Sequence, residues 1–104
     1  MSYHEKNPNI AGNRYVTEAK KYVDANYHRA ISVSEIADAL FISDRYLYNL
    51  FVEHEGISPK KYITEKRLAL AKREINAGEK PTEVYIKLGF PDYSTFFRAY
   101  KKHF

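Results

Sequence analysis

Apolar residues recur along this chain at the spacing of helix faces and break off at cap and turn residues, a pattern that predicts an all-α protein. Val16, Ala19 and Val23, flanked by Tyr15 and Tyr22, predict an amphipathic helix from Arg14 to about Tyr27. Between Ser32 and Phe51 the chain spells two short helices joined by a tight turn. Ser32 and Glu35 form a capping-box pair with Ile31 and Ile36 placed to close over it, and Ser43 caps the second helix between Ile42 and Leu47. Ile36, Leu40, Ile42, Leu47 and Phe51 make the inward face. Ala37 is small where the two helices must approach, and Asp44, Arg45, Tyr48 and Asn49 turn outward. Long polar side chains with an aromatic are what reading base edges in a major groove needs, so the stretch reads as a DNA-binding helix-turn-helix.

Gly56 stops that motif, Ser58 caps the next helix, and Pro59 stands at its first position, where a missing N–H costs nothing. This helix runs to Ala77 and is closed by Gly78. Tyr62, Ile63, Leu68, Ala71 and Ile75 lie on its apolar side, and Lys60, Lys61, Lys66, Arg67, Lys72 and Arg73 make much of the rest basic. At about 1.5 Å per residue it spans close to 28 Å. The pattern then begins again. Pro81 opens a helix holding Glu83, Val84 and Leu88, Gly89-Phe90-Pro91 makes a turn, and Asp92 caps a last helix holding Phe96 and Tyr100. Glu35, Ile36, Leu40 and Ile42 recur 48 residues later as Glu83, Val84, Leu88 and Phe90; Ser43, Leu47 and Phe51 recur 49 residues later as Asp92, Phe96 and Tyr100. The spacing of Val16, Ala19 and Val23 is repeated by Leu68, Ala71 and Ile75. The expected fold is therefore two tandem three-helix helix-turn-helix subdomains joined by a long linking helix. Its boundaries fall at 1–13 for a polar tail or linker remnant, 14–57 and 79–104 for the subdomains, and 58–78 for the link.

Composition narrows the function classes. A chain of 104 residues, 44% hydrophobic, can bury one or two small cores but no large enzyme cleft. It has no cysteine, hence no disulfide framework and no thiolate site, and no apolar run near the roughly 18 residues of a membrane span. A soluble, cytoplasmic protein is expected. The net charge of +4 is unevenly spread: residues 1–54 carry 6 Lys and Arg against 7 Asp and Glu, residues 55–104 carry 11 against 6. The four histidines are scattered, with no metal-ligand spacing, phosphate loop or activated nucleophile, so neither an enzyme nor a cofactor is expected. Two recognition helices reading one face of a duplex should sit about 34 Å apart. A stiff link holding them closer would bend the DNA, at about 1 to 6 kcal/mol.

The run of Ala19, Tyr22-Val23, Ser34-Glu35-Ile36-Ala37, Ser43, Tyr46-Leu47, Phe51, Gly56-Ile57-Ser58-Pro59, Tyr62-Ile63, Arg67-Leu68, Ala71, Gly89-Phe90, Asp92, Thr95-Phe96 and Tyr100-Lys101 resembles the DNA-binding domain of the AraC/XylS family of bacterial transcription regulators, from about Tyr15 to Phe104. The resemblance implies a seven-helix domain with two helix-turn-helix units on a long link. It also implies that this is the C-terminal part of a longer regulator, although the family has small stand-alone members, and that it ends short of the Gly-x-Ser-Pro segment that opens the family's closing turn. Double-stranded DNA is the implied partner, with RNA polymerase a second; effector binding is implied only for an N-terminal domain, and no membrane is involved. Arg45, Tyr48 and Asn49 match the outward positions of the first recognition helix, and Tyr93, Ser94, Thr95 and Arg98 those of the second. Asn49 suits adenine, Arg45 or Arg98 guanine, and Tyr48 and Tyr93 thymine methyls or phosphates. Lys101, Lys102 and the amides near Ser34 and Thr82 suit phosphates.

Two residues depart from the family pattern. Tyr85 replaces a small residue at a close-approach position, so that either the helices splay or its ring tips outward toward a partner. Val52 stands where a Lys commonly follows, with Glu53 and Glu55 nearby, which shifts the expected nonspecific affinity to the second unit. The alternative function is a helical protein-interaction module that has lost DNA binding, with Tyr85 in its contact surface. Ten tyrosines could also stack on single strands, but Tyr15, Tyr22, Tyr46, Tyr62 and Tyr100 recur at core-side or boundary positions, as packing groups do.

Overall fold

The computed structural model describes residues 8–104, with side chains from Gly12 onward. Among these residues there are six helices and no strand: α1 (Pro8–Asn26), α2 (Val33–Ala39), α3 (Asp44–Glu55), α4 (Pro59–Asn76), α5 (Pro81–Lys87) and α6 (Tyr93–His103). Each of four helices starts at a residue whose side-chain oxygen takes up an orphan amide. The Glu35 amide donates to Ser32 Oγ at 3.0 Å, Tyr46 to Ser43 Oγ at 3.0 Å, Lys61 to Ser58 Oγ at 3.1 Å and Thr95 to Asp92 Oδ1 at 2.7 Å. The Glu35 carboxylate also accepts from the Tyr22 hydroxyl, tying α2 to α1.

The two tight turns share one geometry. After α2 the Ile42 amide donates back to the Ala37 carbonyl at 3.0 Å, and after α5 the Phe90 amide donates to the Tyr85 carbonyl at 3.1 Å. A 6→1 bond of this kind needs a left-handed residue between. In the second turn that residue is Gly89, with φ 81°; in the first it is Phe41, with φ 59°.

The chain divides into two compact units. One holds the residues up to Ala25 together with Ser32–Tyr62, the other Asn26–Ile31 together with Ile63–Phe104, so α4 lends its first turn to one and the rest to the other. In the first, Val16, Ala19, Val23, Ile36, Ala37, Leu47, Leu50 and Phe51 are buried. In the second, Leu68, Ala71, Val84, Leu88, Phe90 and Phe96 form one core, with Tyr27, Tyr85, Tyr93 and Tyr100 packed against it. Leu40 and Ile42, expected on the inward face, are only half-buried, and Leu50 takes a core place the expected face did not include.

Two expectations are corrected. The polar tail was expected through Asn13, but α1 begins at Pro8; residues 1–7 of that expected tail lie outside the described residues. Gly12, within the expected tail, is buried inside the helix. A Cβ there would come within 2.7 Å of Leu50 Cδ2 and 2.9 Å of His54 Nε2, so this glycine serves close packing. Arg67, expected on the basic side of the long helix, is half-buried. Its Nε donates to the Tyr27 carbonyl at 3.0 Å and its Nη2 to the Arg29 carbonyl at 2.7 Å, with the guanidinium 6.0 Å from the centre of the Phe90 ring. Burial lowers its pKa, yet a guanidinium stays protonated, and here it satisfies backbone carbonyls of the segment that follows α1.

Candidate nucleic-acid interface

In α3, burial of Leu47, Leu50 and Phe51 along one face leaves Arg45, Tyr48, Asn49 and Val52 exposed on the other. Tyr46 sets its ring edge-on to Tyr15 at 5.9 Å, and Phe51 packs on Tyr62 at 5.6 Å. The Ser34 hydroxyl donates to the Asp44 carboxylate, linking the first turns of α2 and α3. That hydroxyl is therefore engaged, and what Ser34 can offer an anion is its backbone amide. Glu53 is exposed, while Glu55 pairs with Lys20 at 2.8 Å. With Asp44, Arg45 and Glu53 on it, the exposed side of α3 carries no positive excess.

The outward side of α6 is different. Phe96 is buried and Tyr93, Thr95 and Tyr100 are half-buried, which leaves Ser94, Phe97, Arg98, Lys101 and Lys102 exposed. The Asp92 cap carboxylate is held below its ordinary pKa, mainly by hydrogen bonds from the Thr95 amide and side chain and further by the charge of Arg98. Thr95, expected to read bases, gives its backbone amide to the cap, and its side chain is half-buried. Thr82 is exposed in the first turn of α5 beside Pro81. Lys87 is drawn to Glu79 at 2.9 Å and Glu74 at 3.6 Å. Tyr85 is half-buried on the core of its unit and sets its ring edge-on to Tyr93 at 5.7 Å. Its ring packs on the core of its unit rather than standing free for a partner.

Phe97 and Phe41 are exposed aromatics that were not singled out from the sequence. Phe97, 47% exposed, stands five residues after the Asp92 cap, and Tyr48, 51% exposed, five residues after the Ser43 cap. The 49-residue repeat pairs them, and comparing outward positions as well as inward ones would have found Phe97. Phe41, 95% exposed in the first turn, matches Gly89 in the 48-residue repeat.

A helix-turn-helix domain family matches residues 36–104. The chain is 34% identical over 82 residues to a probable transcriptional regulator, LumQ, of Photobacterium leiognathi, covering 78% of this chain and 33% of that protein. It is 31% identical over 105 residues to the Msm operon regulatory protein of Streptococcus mutans, covering 97% and 37%. The chain thus spans about a third of the length of these curated relatives. Among solved structures it matches an AraC-type transcriptional regulator of Chromobacterium violaceum with a TM-score of 0.81 at 27% identity, covering 90% of this chain and 85% of that one. The C-terminal domain of the two-component response regulator yesN of Fusobacterium nucleatum matches with a TM-score of 0.78 at 25% identity, covering 83% and 91%. On the family match and these likenesses together, the chain belongs to the AraC/XylS family of helix-turn-helix transcription regulators and corresponds to the family's DNA-binding region.

Proposed function

We propose that this chain binds double-stranded DNA sequence-specifically, with α3 and α6 each entering a major-groove segment, as the DNA-binding domain of a bacterial transcription regulator. One observation carries the reading: each of the two helices that follow a tight turn exposes polar side chains at the same register after its cap. On α3 these are Arg45, Tyr48 and Asn49, and on α6 they are Ser94 and Arg98 with Tyr93 at the edge. Asn49 pairs with adenine and Arg45 or Arg98 with guanine, each through two hydrogen bonds to a base edge. Lys101, Lys102 and the amides near Ser34 and Thr82 take phosphates, which fix the register without reading sequence. The Thr95 amide holds the cap, and its half-buried side chain stands at the edge of this reading face. By family membership RNA polymerase is proposed as a second partner, effector sensing is assigned to a domain beyond these residues, and cytoplasmic residence follows.

Selection of bound duplexes from a random pool, followed by footprinting, tests the reading. A common motif should emerge, protected in two major-groove segments, and Arg98→Ala should relax choice at one position by about 1 to 3 kcal/mol. Failure to retain any duplex even at low salt would favour a protein-interaction module instead.

A further inference from the structure

The outward face of α6 carries a residue that no hydrogen-bonding account of base reading uses. Phe97 is about half exposed, although a phenyl ring gains nothing from water. It stands on one stripe of the helix with Tyr93 a turn before it and Lys101 a turn after it. The Tyr93 and Phe97 rings stack at 5.9 Å with 25° between their planes, and Lys101 Nζ lies 5.8 Å from the centre of the Phe97 ring. Tyr93 is in turn backed edge-on by Tyr85 of α5, and the buried Phe96 packs tilted against it at 6.0 Å. The ring is therefore held by a ladder that starts on the neighbouring helix, and Tyr85, large at a position where Ala37 is small in the other unit, is its base.

A phenyl ring offers neither donor nor acceptor. Among the groups a major groove presents at base edges, the one it can match is the C5-methyl of thymine. We propose that Phe97 reads a thymine methyl in the segment bound by α6, and that Tyr85, through Tyr93, is a positioning residue for it. This rests on the DNA-binding reading above. The flanking cations Arg98, Lys101 and Lys102 favour a nucleic acid over an apolar protein partner for this face.

The test uses duplexes recovered by selection with the unaltered chain. Each thymine of the site is replaced singly by deoxyuridine, which deletes one methyl and leaves every hydrogen-bonding group in place. At one or more positions the unaltered chain should lose about fourfold in affinity, the worth of one buried methyl. Phe97→Ala should bind the thymine and deoxyuridine duplexes alike at that position while keeping its helix content. Phe97→Gln, a good helix former at an exposed site, should do the same if the alanine variant folds poorly. Tyr85→Phe should keep the methyl discrimination and Tyr85→Ala should reduce it, whereas a merely structural role for Tyr85 would lower affinity for both duplexes equally. If no deoxyuridine substitution weakens binding, or if both Phe97 variants discriminate as the unaltered chain does, Phe97 does not read a methyl, and the DNA-binding reading stands without it. If no duplex is selected at all, both readings fall together.

Discussion

Gly89 and Phe41 hold equivalent places in two turns of the same geometry, and their surroundings explain why one is glycine and the other is not. A Cβ at Gly89 would run into the Tyr27 carbonyl oxygen and stand 2.9 Å from Arg67 Nη2, in a backbone conformation that already disfavours side chains. Gly89→Ala should therefore lose about 2 to 4 kcal/mol, read by thermal or urea unfolding. Phe41 has the same left-handed backbone but points into solvent, so strain is its main cost. Phe41→Gly is expected to raise stability by about 0.5 to 1 kcal/mol, the relief of strain less the added freedom of the unfolded glycine. A lower melting temperature in that variant would show that the ring makes a stabilising contact. Arg67 acts on the same corner. Arg67→Ala should cost about 2 to 4 kcal/mol through two lost charge-assisted bonds, and Arg67→Lys should restore only part of it, because an ammonium cannot span both carbonyls as the planar fork does.

At the scale of the element, α6 depends on its cap. Asp92 titrates below its ordinary value of 3.8 because the first-turn amide and side chain of Thr95, and then Arg98, favour the carboxylate. A carboxyl whose folded pKa is depressed contributes stability that is complete above the unfolded pKa and is lost as pH falls through the folded one. Acidification below about pH 4 should thus weaken α6 in the unaltered chain. Asp92→Asn retains a capping oxygen but cannot titrate, so the difference in melting temperature between it and the unaltered chain should shrink toward lower pH. A difference that stays constant from pH 7 to pH 2 would show that the cap charge plays no part.

For the whole molecule, the uneven charge has a measurable consequence in binding. The exposed side of α6 carries Arg98, Lys101 and Lys102, while that of α3 balances Arg45 with Asp44 and Glu53. Lys101→Ala and Lys102→Ala should each lower the slope of log affinity against log salt by about 1 and weaken binding to all sequences alike. Arg45→Ala should change sequence choice more than slope. Equal slope changes from substitutions on α3 and α6 would overturn the assignment of nonspecific affinity to the second unit.

The helix starts, the turns, the repeat and the outward faces of α3 and much of α6 were legible in the residues, because caps and helix faces are set by groups three or four positions apart. Ser32, Ser43, Ser58 and Asp92 bond amides three residues ahead, wherever the helix packs. What only the tertiary structure decided involves partners far apart in sequence. Arg67 reads as one more surface cation until its guanidinium meets carbonyls 38 and 40 residues away, and Gly12 reads as part of a polar tail until Leu50 and His54 come against it. The Tyr85, Tyr93 and Phe97 ladder likewise exists only once α5 and α6 pack, since a ring's neighbours across two helices cannot be read from either helix alone.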